Sequence, residues 1–128
     1  MNNKLITIFQ KYKVVLAYQF GSTIRNMQTK ISDVDIAVLF EKDEPPVKKL
    51  LELSHELSLY FKTENIDLSR LNTAPPVLRQ VVATEGKLLY EKRKGLDTVF
   101  SQIALKEYED TLYLRKVYRD SLKARLIL

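Results

Sequence analysis

The sequence predicts a small α/β or α+β domain, a mixed sheet flanked by helices. Three observations carry this reading. Short apolar runs alternate with segments of helical period along the whole chain. The few glycines (Gly21, Gly86, Gly95) and the two proline pairs (Pro45-Pro46, Pro75-Pro76) fall between those segments, where turns belong. The length of 128 residues, 45% hydrophobic and 29% charged, suits one domain with a single moderate core.

Taken in order, Leu5, Ile8, Phe9 and Tyr12 recur at helical spacing and predict a first helix over 3–12. Val14 to Phe20 is a short apolar run that ends at Gly21 and predicts a buried strand. Ser22 suits an N-cap, so a short helix is expected through about Asn26. Ile31 to Phe40 predicts a second strand. Val34, Ile36, Val38 and Phe40 share one face of it, and Asp33, Asp35, Ala37 and Leu39 share the other. Val47 to Phe61 is amphipathic, with Leu50, Leu53, Leu57 and Phe61 among its apolar positions. Ile66 to Leu71 predicts a third strand. Pro76 sits well in the first turn of a helix over Val77–Thr84, which Gly86 ends. Lys87 to Tyr90 predicts a short edge strand, and Leu96 to about Lys123 one long final helix. That helix has two apolar arcs: Phe100, Ala104, Leu105, Tyr108, Leu112, Tyr118 and Leu122 on one, Ile103, Tyr113, Leu114, Val117 and Ala124 on the other. One arc suffices for docking on the sheet, which leaves the second for another subunit.

Composition narrows the chemistry. There is no cysteine, which removes a disulfide framework, a thiolate metal site and a cysteine nucleophile, and a single histidine, His55, nearly excludes a zinc site or a Ser-His-Asp triad. Catalysis would have to rest on carboxylates, hydroxyls, backbone amides or a hard metal ion. No signal peptide or membrane-length apolar run is evident, so a cytoplasmic protein with no membrane partner is expected. The net charge of +5 concentrates at the ends: residues 1–30 hold five basic residues and no acid, and residues 31–90 hold ten acids against seven basic residues. No run of basic residues interleaved with aromatics marks a nucleic-acid stripe, so nucleic acid is not expected as a partner.

Three acids stand out. Asp33 and Asp35, two apart on a strand, point to one face, and Asp67 lies on another strand between Ile66 and Leu68. Like charges on one sheet face repel and are costly to bury, so a compensating cation is implied. Oxygen ligands without thiol or imidazole select Mg²⁺ or Mn²⁺ over zinc. Upstream, Gly21-Ser22 occupies a strand-to-helix turn, where glycine permits close backbone approach and free amides attract phosphate oxygens. An Asp-x-Asp pair alone is more often structural; the conjunction of strand, Gly-Ser, helix, Asp-x-Asp and a later lone Asp is what points to chemistry. Without a cation, at least one of these acids should have a raised pKa.

Gly21-Ser22, ten intervening residues and Asp33-Val34-Asp35 together resemble the polymerase-β-like nucleotidyltransferase superfamily. The surrounding Phe20 to Arg25 and Ser32 to Val38 resemble its small prokaryotic branch, the minimal nucleotidyltransferases, and the likeness runs on through Ile66–Asn72, Pro76, Leu78 and Gly86–Tyr90. The resemblance implies the polymerase-β-like fold, in one domain over 1–128. It also implies metal-dependent transfer of a nucleoside monophosphate from a triphosphate such as ATP. Asp33, Asp35 and Asp67 would be the catalytic metal ligands, for two Mg²⁺ or Mn²⁺ ions. Gly21 and Ser22 would hold the β- and γ-phosphates, and Arg25 could pair with the triphosphate. Many relatives have glycine after that arginine where this chain has Asn26, which implies a changed loop. Members of this kind often pair with a HEPN-domain toxin as its antitoxin, in a hetero-oligomer, and can transfer AMP to a toxin tyrosine. With no arginine just upstream of His55 there is no HEPN ribonuclease motif, so the chain would be the antitoxin and His55 an ordinary helix residue. A non-catalytic antitoxin that neutralises by contact and a transferase acting on a small molecule such as an aminoglycoside are the competing readings.

Overall fold

The structure, a computed structural model, describes residues 3–21, 33–42 and 45–127. The described elements run α1 (Asn3–Lys11), β1 (Val14–Phe20), β2 (Val34–Phe40), α2 (Val47–Phe61), β3 (Ile66–Arg70), α3 (Pro76–Glu85), β4 (Lys87–Glu91) and α4 (Leu96–Ile127). The short helix expected from Ser22 to Asn26 lies outside the described residues.

The four strands form one mixed sheet in the order β3-β2-β1-β4. β1 pairs antiparallel with both β2 and β4, and β2 pairs parallel with β3. The expected edge position of β4 is thus observed. The parallel pair needs a crossover, which α2 supplies. Asn72, just past β3, secures that pair: its side-chain amide donates to the Phe40 carbonyl at 3.1 Å and its side-chain oxygen accepts from the Phe40 amide at 2.9 Å.

The alternation read along β2 sorts the core into two layers. Val34, Ile36, Val38 and Phe40 pack with Phe9 of α1 and Leu53 and Leu57 of α2. Ala37, with Leu16 and Tyr18 of β1, packs with Val82 of α3 and Phe100 and Ala104 of α4. A register shift between Val14 and Leu16 sends these two residues to opposite layers, although strict alternation would put them together. The second strand begins at Val34, not Ile31, and Asp33 precedes it as an exposed residue without regular structure.

α3 begins at Pro76, whose missing amide costs nothing at a helix start. Gly86 ends it with an extended backbone, and a Cβ there would collide with the Val82 carbonyl oxygen and press on Tyr18, 3.3 Å from the Tyr18 Cβ. Its role is close packing. The Glu91 carboxylate caps the start of α4, accepting from the Gly95 amide at 3.1 Å and the Asp97 amide at 3.2 Å. Tyr18 donates to Asp97 at 2.5 Å while its ring meets Phe100, centroids 5.6 Å apart. Arg79 of α3 donates to both Glu107 oxygens, at 3.0 and 3.2 Å.

Beyond these ties α4 leaves the body. The expected docking arc is buried at Phe100 and Ala104, but Leu105, Leu112, Tyr118 and Leu122 of the same arc are exposed. Every residue from Leu112 to Arg125 is exposed. The helix is longer than the layer it packs on, so the arc runs past its partners. Among the described residues, no helix is long and apolar enough to cross a membrane.

Candidate active site

The site lies at the end of the sheet where β1 finishes and β2 begins, on the α3–α4 side. Parallel pairing sets Asp35 of β2 directly beside Asp67 of β3. In-register neighbours on adjacent strands share a face, so the two carboxyls meet. Antiparallel pairing sets Phe20 opposite Asp35, which brings Gly21 over the Asp35 side chain. Gly21 has φ +86°, and a Cβ built on it would collide with the Asp35 carboxyl, 3.0 Å from its Cγ. Only glycine satisfies both conditions. The sequence suggests this glycine makes room for a phosphate; the structure adds that it makes room for an acid.

Burial holds the Asp35 carboxyl above its ordinary range. The neighbouring Asp67 charge, a hydrogen bond in which protonated Asp35 donates to Asp67, and the more distant Asp33 charge push the same way. Among the described residues, the charges acting on it are those of Asp67 and Asp33. The rise expected for at least one of the acids falls on Asp35, with burial as its largest cause and the neighbouring acids adding to it.

Convergence of three acids is only partly met. Asp35 and Asp67 come together, while Asp33, exposed and one residue ahead of β2, acts on Asp35 through its charge. Among the described residues, no group of three His, Cys, Asp or Glu side chains closes on a common point. Ser22 and Arg25, the other expected nucleotide contacts, lie outside the described residues. His55 is exposed on α2, across the sheet, as an ordinary helix residue.

The donor set suits a hard divalent cation. It offers carboxylate oxygens, with no thiol in the chain and its one imidazole on the far face. Asn72 is the positioning residue that the motif reading passed over. By tying the β3 exit to Phe40 it fixes the register that sets Asp67 beside Asp35. A short polar side chain just after a strand was the available signal.

A four-stranded mixed sheet between helix layers, with paired carboxyls beside a glycine turn, defines a nucleotidyltransferase domain. The family described as "Polymerase beta, Nucleotidyltransferase" matches residues 3–95, and the chain belongs to that family. Within it, the chain is similar to the protein adenylyltransferase MntA of Shewanella oneidensis, 31% identical over 124 residues, covering 95% of this chain and 87% of that protein. It is also 33% identical over 86 residues to a putative protein adenylyltransferase of Methanocaldococcus jannaschii, covering 67% of this chain and 90% of that one. Among solved structures, a toxin–antitoxin with AMP-PNP superposes at a TM-score of 0.78 and 30% identity, covering 94% of this chain and 97% of that chain. A tri-AMPylated S. oneidensis HEPN toxin in complex with MNT antitoxin superposes at 0.71 and 28% identity, covering 94% of each chain.

Proposed function

We propose that this chain is a protein adenylyltransferase that moves AMP from ATP to a tyrosine of a HEPN toxin, and so acts as that toxin's antitoxin. The observation that carries the reading is the Asp35–Asp67 pair, set side by side under Gly21. Support comes from the likeness to adenylyltransferases and to toxin–antitoxin complexes over most of the chain. Residues 1–128 act as one nucleotidyltransferase domain, in the cytoplasm, bound to the toxin as a hetero-oligomer.

In this reading Asp33 and Asp35 would hold two divalent cations, Mg²⁺ or Mn²⁺, and Asp67 would hold one of them. Bound there, the ions would supply positive charge to neutralise the triphosphate and the departing pyrophosphate. Gly21 and Ser22 would hold the β- and γ-phosphates, and Arg25 would pair with the triphosphate charge. Asp67 accepts the tyrosine proton. The phenolic oxygen attacks the α-phosphorus in line, forming the new P–O bond while the bond to the bridging oxygen breaks. A protein acceptor brings its own walls to a site that one small domain cannot enclose for a second small substrate.

The test is incubation with labelled ATP, Mg²⁺ and a HEPN toxin, followed by mass spectrometry. Label on a toxin tyrosine, lost in Asp35→Asn, is the expected result. Full neutralisation without label, kept in Asp35→Asn, would replace this reading with neutralisation by contact. Label on an aminoglycoside instead would replace the acceptor.

A further inference from the structure

The part of α4 from Leu112 to Arg125 is exposed throughout, yet it is not built for water alone. Tyr113 is 71% exposed, Tyr118 68% and Leu114 65%, with Val117 and Leu122 also open. At about 100° per residue these five side chains fall within one half of the helix circumference. Arg115, Lys116, Arg119 and Lys123 occupy the other half, and Arg125 joins the apolar half. Over this stretch five basic residues face one acid, Asp120. A large, continuous apolar strip of this kind on a monomer marks an interaction surface.

Three observations choose the occupant. The positive charge opposes pairing with a second copy of the same strip and favours an acidic partner. The family match ends at residue 95, one position before α4, so this helix is an addition to the nucleotidyltransferase body. The superposition on a toxin–antitoxin structure covers 94% of this chain and so takes in most of α4.

We propose that the distal half of α4 is the docking arm for the toxin, receiving an apolar surface bordered by acidic side chains. This rests on the adenylyltransferase reading for the partner's identity, and it separates capture of the toxin from transfer. Tyr113 and Tyr118 are the anchors, since interface energy concentrates on such residues. The basic half steers the encounter and makes it sensitive to salt.

The full-length chain carrying Leu114→Glu and Tyr118→Glu, and a second carrying Arg115→Glu, Arg119→Glu and Lys123→Glu, are titrated with the HEPN protein by calorimetry. All five positions are exposed, so unchanged melting temperatures confirm that folding is intact. Expected is at least a ~30-fold loss of affinity in the first variant. The charge reversal should cost a smaller loss that high salt imposes on wild type as well. In both, KM for toxin rises while kcat at saturating toxin holds. Asp35→Asn should bind toxin like wild type. Toxin binding unchanged in both arm variants overturns the proposal. So does a homodimer that the substitutions dissociate while toxin affinity stays, and so does binding to anionic vesicles with none to toxin. Tight wild-type binding that the arm variants lose, without label on the toxin, upholds the arm and ends the transfer reading.

Discussion

Val34, Ile36, Val38 and Phe40 alternate along β2 with Asp35, Ala37 and Leu39, and the two sets meet opposite surroundings. The first set is sealed under α1 and α2, with Ile36 and Val38 fully buried among apolar neighbours. The second begins with an acid whose neighbours are another acid and a glycine backbone, and becomes ordinary core only two residues later at Ala37. One strand thus anchors a domain on one face and holds unfavourable charge on the other. The secure face is what lets the strained one exist: like charges side by side raise the energy of the ion-free protein, and the apolar layer behind them absorbs that cost.

Substitutions on the two faces should therefore separate cleanly. The largest expected effect is on chemistry. Asp35→Asn or Asp67→Asn should lower AMP transfer on the order of 10³-fold, since each removes several kcal/mol of charge stabilisation from the reaction, while leaving circular dichroism unchanged. Transfer at the wild-type rate in Mg²⁺ would erase the functional difference between the faces. Ile36→Ala should do the reverse. It should cost about 2–5 kcal/mol of stability and lower Tm by roughly 10 °C, with little change in transfer below the transition. Gly21→Ala should trespass on both. The left-handed backbone costs about 1–3 kcal/mol, and the new methyl displaces the Asp35 carboxyl, so activity at low temperature should fall further than stability accounts for.

The smallest effect is electrostatic, and its sign is opposite to that of most substitutions. Folding raises the Asp35 pKa, so this group favours the native state fully below the unfolded carboxylate value of about 3.9. That contribution is lost as pH rises through the raised native value. Metal-free Asp35→Asn should therefore melt about 1–3 °C above wild type at pH 7, a modest figure because the carboxyl is only partly buried. The gain should vanish toward pH 4. Added Mg²⁺ should stabilise wild type and not the variant. A calorimetric pH series with and without Mg²⁺ measures all three.

Much of this was readable from the residues, for local reasons. The two-residue period of β2 declares its faces, and the Gly-Ser and Asp-x-Asp spacing declares the site, because both are patterns within a short stretch. What could not be read depends on distant partners. That Asp67 belongs with Asp35 was implied by the family resemblance; the parallel register that sets them side by side, held by Asn72 on Phe40, was not. That Asp33 stands outside the strand follows from where pairing with β3 starts, at Val34 and Ile66. The two apolar arcs of α4 look alike in sequence, since helical period reports amphipathicity and not whether a partner layer is present. Glu91 as the cap of α4 was hidden for a related reason, lying on the preceding strand.

The crossover that joins β2 to β3 also has a consequence in time. Asp35 and Asp67 become neighbours only when a strand separated from β2 by the whole of α2 docks in parallel, a closure slower than any local turn. Until then each acid is solvated and the repulsion between them does not exist. A chain emerging during synthesis thus meets no penalty from its own site while the apolar layer of β2 is assembling. The repulsion arises once β3 has docked on β2, and it bears on how readily that pair opens.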